Sequence, residues 1–99
     1  MIDRRFDFRV YREDPVNLIW TDPNGQTLQG PAQMVDISRS GASIRAHHPV
    51  HVGTVLSFGF DDQDFAGKVT HCVSDPSGYL LGIEFEPGYR WMPRVPSVS

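Results

Sequence analysis

Apolar residues in this chain recur at every second position in short runs closed by Gly, Pro, Asn or Asp, and no long stretch carries helical spacing. That pattern restricts the fold to sheet. Val16, Leu18 and Trp20 share one parity in a first strand, and Asp22-Pro23-Asn24-Gly25 follows as a hairpin signal. A second strand is expected from Thr27 to Ile37, with Gly30 and Pro31 marking a bulge or an edge position. Ala42, Ile44 and Ala46 alternate with Ser43 and Arg45 in a third strand. Leu56, Phe58 and Phe60 face one way in a fourth, which ends at Asp61-Asp62. The fifth carries Phe65, Val69 and Val73 on its apolar parity and turns at Asp75-Pro76-Ser77-Gly78. Leu81, Ile83 and Phe85 form the last.

Strands of this length, each with one apolar parity and tight turns, favour a small closed or nearly closed antiparallel barrel, which also removes exposed edges. At 99 residues the chain holds one domain, and 39% hydrophobic with 21% charged residues is the balance of a globular protein. No apolar run reaches the roughly 20 residues of a membrane span. The first residues lack the apolar stretch of a signal peptide, and a lone Cys72 cannot form an internal disulfide. A cytoplasmic setting is expected, including the cytosolic face of a membrane-associated assembly, with no direct membrane insertion. After Phe85, prolines at 87, 93 and 96 leave room for little or no helix, so residues 89–99 read as a tail.

The net charge of −3 argues against a DNA or RNA binder, which needs a broad basic face. Positive charge is instead local: Arg4, Arg5, Arg9 and Arg12 are four of nine basic residues, and all precede the first strand. Such a cluster suits a small anion. Guanidinium forks match phosphate oxygens bidentately and also pair with the O6/N7 edge of guanine. Asp36-Ile37-Ser38-Arg39-Ser40-Gly41 adds a carboxylate, a hydroxyl and a turn glycine. An enzyme is not expected, because no nucleophile elbow, phosphate-cradling glycine loop or metal-ligand spacing is present. His47, His48, His51 and His71 have no Cys or carboxylate at ligand-like spacing and read as surface residues, so no metal is expected. Cys72 reads as packing.

Arg5-x-x-x-Arg9 followed by Asp36-x-Ser38-x-x-Gly41 resembles the paired signature of PilZ domains, receptors for the bacterial second messenger cyclic di-GMP. The resemblance covers roughly residues 3 to 88. It implies an all-β, six-stranded antiparallel barrel over 13–88 behind a flexible arginine arm over 1–12. It also implies a cyclic di-GMP-binding, regulatory role with no cofactor. Arg5 and Arg9 would contact phosphates and guanine Hoogsteen edges, Asp36 would accept guanine N–H bonds, and Ser38 would reach a phosphate oxygen or an N–H. Gly41 would allow a close approach that a side chain blocks. Arg39 and Ser40, in the variable positions, are further candidates. Arg4 precedes the motif, a position associated in this family with two intercalated ligand molecules, so two ligands per chain are expected. Ligand would order the arm and pass a signal to an effector protein or a tethered domain such as a polysaccharide synthase. The alternative is an interaction adaptor that keeps the barrel without depending on nucleotide.

Overall fold

In the computed structural model, residues 9–92 are described. Seven strands follow one another: β1 (Val10–Tyr11), β2 (Pro15–Thr21), β3 (Thr27–Ile37), β4 (Gly41–Ala46), β5 (Val55–Phe60), β6 (Gln63–Asp75) and β7 (Gly78–Phe85). The described residues contain no helix. All pairings are antiparallel, in the order β1-β3-β2-β5-β6-β7-β4. A further β3–β4 ladder closes β2 to β7 into a six-stranded barrel, with β1 as an extra strand on β3.

The turns have the chemistry their residues dictate. Asp22 Oδ1 accepts from the backbone N–H of Asn24 and of Gln26, both at 2.9 Å, and Gly25 takes φ +83°. Asp61 and Asp62 adopt φ 56° and 61°, so both centre residues of the β5–β6 turn are left-handed, the geometry that matches strand twist in a two-residue hairpin.

Alternation places the core. Leu18, Met34, Ile44, Leu56, Phe65, Val69 and Leu81 are fully enclosed, each contributing on the order of 1.5–3 kcal/mol by leaving water. Phe58, Phe65 and Phe85 form an aromatic cluster, with Phe65 stacked on Phe85 at 4.9 Å between ring centres and on Phe58 at 5.4 Å. Trp20 is only partly buried and packs at the margin of this core.

Pro31 sits where its missing N–H costs nothing. It pairs with Asn17 of β2, while the β4 ladder on the other side of β3 begins only at Ala32. The edge reading of Gly30-Pro31 therefore holds, but the bulge lies further on. The β3–β4 register slips between Met34 and Asp36, and the β6–β7 register slips between Val69 and His71.

Each slip reverses the parity of the strand beyond it. In β3, Ala32 and Met34 face the core, then Ile37 does, while Asp36 is opposite Ser43 and faces outward. In β6, Phe65 and Val69 face the core, but beyond the bulge Cys72 packs toward it and Val73 is 55% exposed. The core assignment of Val73 is thus corrected, because the extra residue turns its side chain to solvent.

Two boundaries also move. Val10 and Tyr11, placed in the arginine arm by the sequence, pair with Ile37 and Asp36 as a strand. Trp91, placed in the tail, is 2% exposed. Its ring packs on Phe60, its Nε1–H points to Asp61 Oδ2 at 3.3 Å, and its backbone N–H donates to the Arg39 carbonyl at 3.2 Å.

Candidate functional site

The site is built on the C-terminal half of β3. The bulge at Met34/Asp36 turns Asp36 to the outer face, and β1 then lies alongside, with Tyr11 opposite Asp36 and Val10 opposite Ile37. Arg9 is the residue immediately before this strand. Its guanidinium Nη1 pairs with Asp36 Oδ1 from 27 positions away in sequence. Asp36 is 8% exposed, so the only buried carboxylate among the described residues carries a cation over it. A carboxylate in such a place is tolerated because it is paired and hydrogen-bonded.

Arg12 is directed elsewhere. Its Nη2 donates to Asp14 Oδ2 at 2.7 Å, and its guanidinium carbon stands 5.2 Å from the centre of the Phe60 ring. Of the two described arginines of the N-terminal cluster, Arg9 alone therefore reaches the Asp36 motif. Arg4 and Arg5 lie outside the described residues, as do Phe6 and Phe8.

Ser38 is 1% exposed, and both its backbone N–H, at 2.8 Å, and its hydroxyl, at 3.2 Å, point to the Gly41 carbonyl. The hydroxyl thus holds the β3–β4 turn shut. Gly41 faces Glu84 of β7, and a Cβ at this position would run into the Ile83 carbonyl. The glycine is needed for close strand approach, and its φ is not in the left-handed region.

Between these two anchors Arg39 and Ser40 present exposed side chains from a fixed backbone, since the Arg39 carbonyl accepts from Trp91 and the Ser40 carbonyl accepts from Phe85 at 2.8 Å. They border a groove of about 550 Å³ whose other walls include Glu84, Glu86, Tyr89 and Arg90.

The structure therefore brings together Arg9, Asp36, Ser38 and Gly41, with Arg39 and Ser40 on the rim. Arg9 and Asp36 can exchange partners with a ligand that offers both anionic oxygens and N–H donors. Trp91 was missed in the sequence, where an isolated aromatic in a proline-rich run has no parity to assign it. A more enclosed, mainly apolar pocket of about 390 Å³, lined by Trp20, Leu28, His48, Val50 and others, holds none of the motif residues. Leu28 and Asp36 are eight residues apart on β3, roughly 27 Å along an extended strand, so this pocket is at the other end of the barrel.

No helix among the described residues is long and apolar enough to cross a membrane. No curated protein matches the chain. Among solved structures, YcgR from Escherichia coli, crystallised in complex with c-di-GMP, superimposes with a TM-score of 0.63 at 15% sequence identity. The superposition covers 87% of this chain and 39% of that one, so the chain spans well under half the length of YcgR. The PilZ domain family matches residues 3–89, a stretch that takes in the whole barrel, the extra strand and both motifs. The chain belongs to the PilZ domain family.

Proposed function

We propose that this chain is a receptor domain for cyclic di-GMP, with Arg5, Arg9 and Asp36 as principal contacts and Arg4, Arg39 and Ser40 as additional ones. The observation that carries the reading is the β1–β3 register, which sets the end of the arginine motif against the outward-facing Asp36. Family membership supports it, as does the cyclic di-GMP seen in the YcgR structure.

In this reading the Arg9–Asp36 pair is the resting arrangement. Guanine N–H donors take over the carboxylate, and Arg9 turns to a phosphate oxygen or a Hoogsteen edge, so one ion pair is exchanged for several charge-assisted bonds. Ser38 and Gly41 act by holding the turn at its close approach to β7 rather than through the ligand alone. The segment before β1 closes over the bound nucleotide, and this altered surface is what a partner or a tethered domain reads.

Isothermal titration at stated ionic strength, with GTP and cyclic di-AMP as controls, tests the proposal. Selective binding of cyclic di-GMP is expected, with two ligands per chain if Arg4 serves a second molecule. Arg9→Ala should weaken binding by roughly 1.5–3 kcal/mol for each charge-assisted bond lost, and Asp36→Ala should erode the preference for guanine. Reduced hydrogen exchange across residues 3–12 on ligand addition would accompany binding. A folded sample that ignores cyclic di-GMP would overturn the receptor reading and leave the adaptor.

A further inference from the structure

Small barrels are filled along their length by inward side chains, and this one is left open at the mouth away from the Asp36 motif. Trp20 of β2 is opposite Leu28 of β3 and Leu56 of β5, and residues opposite one another in antiparallel sheet share a face, here the inner one. Leu56 is enclosed, whereas Trp20 and Leu28 are only half-buried. Beside them lies the cavity of about 390 Å³, with Val50 as a further apolar wall and Asp22, His48, His51 and Thr54 at its border.

Both sides of the cavity are fixed by backbone. In the β4–β5 connection the Thr54 N–H donates to the His51 carbonyl at 3.1 Å, the Gly53 N–H to the Val69 carbonyl at 2.8 Å, and the Val69 N–H to the Thr54 carbonyl at 2.9 Å. On the facing side Asp22 ties the β2–β3 turn: its N–H donates to the Gln26 carbonyl at 2.9 Å, and its Oδ1 accepts from the N–H groups of Asn24 and Gln26. A preformed cavity in a barrel mouth, apolar within and polar at its rim, is a common setting for small ligands and loses little freedom when one enters.

The rim chemistry selects the head group. Asp22 already uses one carboxylate oxygen twice in its own turn, whereas His48 and His51 are exposed, and neither imidazole has a hydrogen-bond partner among the described residues. Imidazole N–H groups donate to carboxylate oxygens. We infer that this mouth is a second binding site, for a compact aromatic carboxylate whose ring packs against Trp20, Leu28 and Val50 while its carboxylate meets His48 and His51. The site shares no residue with the Arg9–Asp36 site and does not depend on the receptor reading.

Titration of the ¹⁵N-labelled chain with 3-phenylpropionate, 3-phenylpropanamide and 3-phenylpropylamine tests the inference, read at the two indole N–H signals. Trp20 lines the cavity, and Trp91, buried near Phe60 and Asp61, is the internal control. The acid should shift the Trp20 signal alone, with half-saturation on the order of 1 mM for so small a molecule. The amide, which keeps the ring and loses the charge, should bind about 2- to 12-fold more weakly, and the amine more weakly still. In the double variant His48→Ala/His51→Ala the acid should fall to the level of the amide while amide binding stays as in the parent, which shows the cavity intact. Equal binding of acid and amide to the parent would overturn the role of the histidines. An amine that binds best would hand the head group to Asp22 and overturn the ligand class. A Trp20 signal that none of the three moves at 10-fold that concentration, or one that moves no more than Trp91, would overturn the site.

Discussion

The regular strands β4 and β5 differ from the bulged strands β3 and β6 in a way that separates stability from recognition. In β5 every second residue, Leu56, Phe58 and Phe60, is buried from end to end, and β4 does the same with Ala42, Ile44 and Ala46. In β3 and β6 the parity changes partway, and just after each change a polar side chain capable of recognition, Asp36 or His71, stands on the outer face. The difference teaches that unbroken alternation builds the barrel, and that a single extra residue converts a core-facing position into a surface one without ending the strand.

The sharpest way to break this comparison is to truncate one apolar residue from each class. Phe58→Ala on β5 removes a ring stacked on Phe65 and tilted against Phe85, and should cost about 3–5 kcal/mol in urea denaturation. Val73→Ala on β6, at a position that simple alternation from Phe65 assigns to the core, should change stability by no more than about 0.5 kcal/mol. Comparable losses at both sites would mean that the parity of β6 does not reverse.

Much of the barrel is legible in the residues because turn chemistry and alternation agree. Asn24-Gly25 and Ser77-Gly78 sit at hairpin turns, and Thr27–Ile37 is one strand as its residues indicate. The two bulges were not read, since an extra Val35 or Thr70 leaves composition unchanged. A signal for the first was present all the same. Strict alternation from Ala32 and Met34 would bury Asp36 inside the barrel, which a carboxylate without a partner there does not tolerate, and Ile37 restores an apolar residue at the opposite parity. The site motifs were legible as residue types, yet the partner of Asp36 was not. That contact depends on β1, a two-residue strand too short to carry any period, laid down by its ladder to β3.

A second pair of variants sharpens the contrast at the level of backbone approach. Gly41→Ala puts a methyl group into the Ile83 carbonyl across the β4–β7 ladder, so strands must separate, and a loss of about 1–3 kcal/mol is expected. Gly30→Ala, with open space around its Cβ position, should lie within about 0.5 kcal/mol of the parent. Thermal unfolding distinguishes the two. Equal effects would show that β4 and β7 can part without cost and that Gly41 is held for the ligand alone.

The smallest expected effect concerns the part of β6 beyond its bulge, which reaches the β6–β7 turn with few buried apolar residues. There Asp75 Oδ2 accepts from Arg45 Nη2 of β4 at 3.0 Å, and Asp75 Oδ1 accepts from the Ser77 N–H at 2.8 Å. The Arg45 hydrogen bond, followed by the Ser77 N–H, lowers the carboxyl from its ordinary value of 3.8. A carboxyl with a lowered native value binds protons more readily in the unfolded chain, so stability rises with pH through this window. Its contribution is fully present above about pH 4 and disappears as the pH falls through the lowered native value. The pair is partly exposed, so the contribution is small and screened by salt. In low-salt urea titrations Asp75→Asn should be slightly less stable than the parent between pH 5 and 7, and the gap should close toward pH 2. A gap that persists unchanged at low pH would show that the loss in Asp75→Asn does not come from the carboxylate charge, and would leave the hairpin end held by the backbone ladders of β6 to β7 and of β7 to β4 rather than by charge.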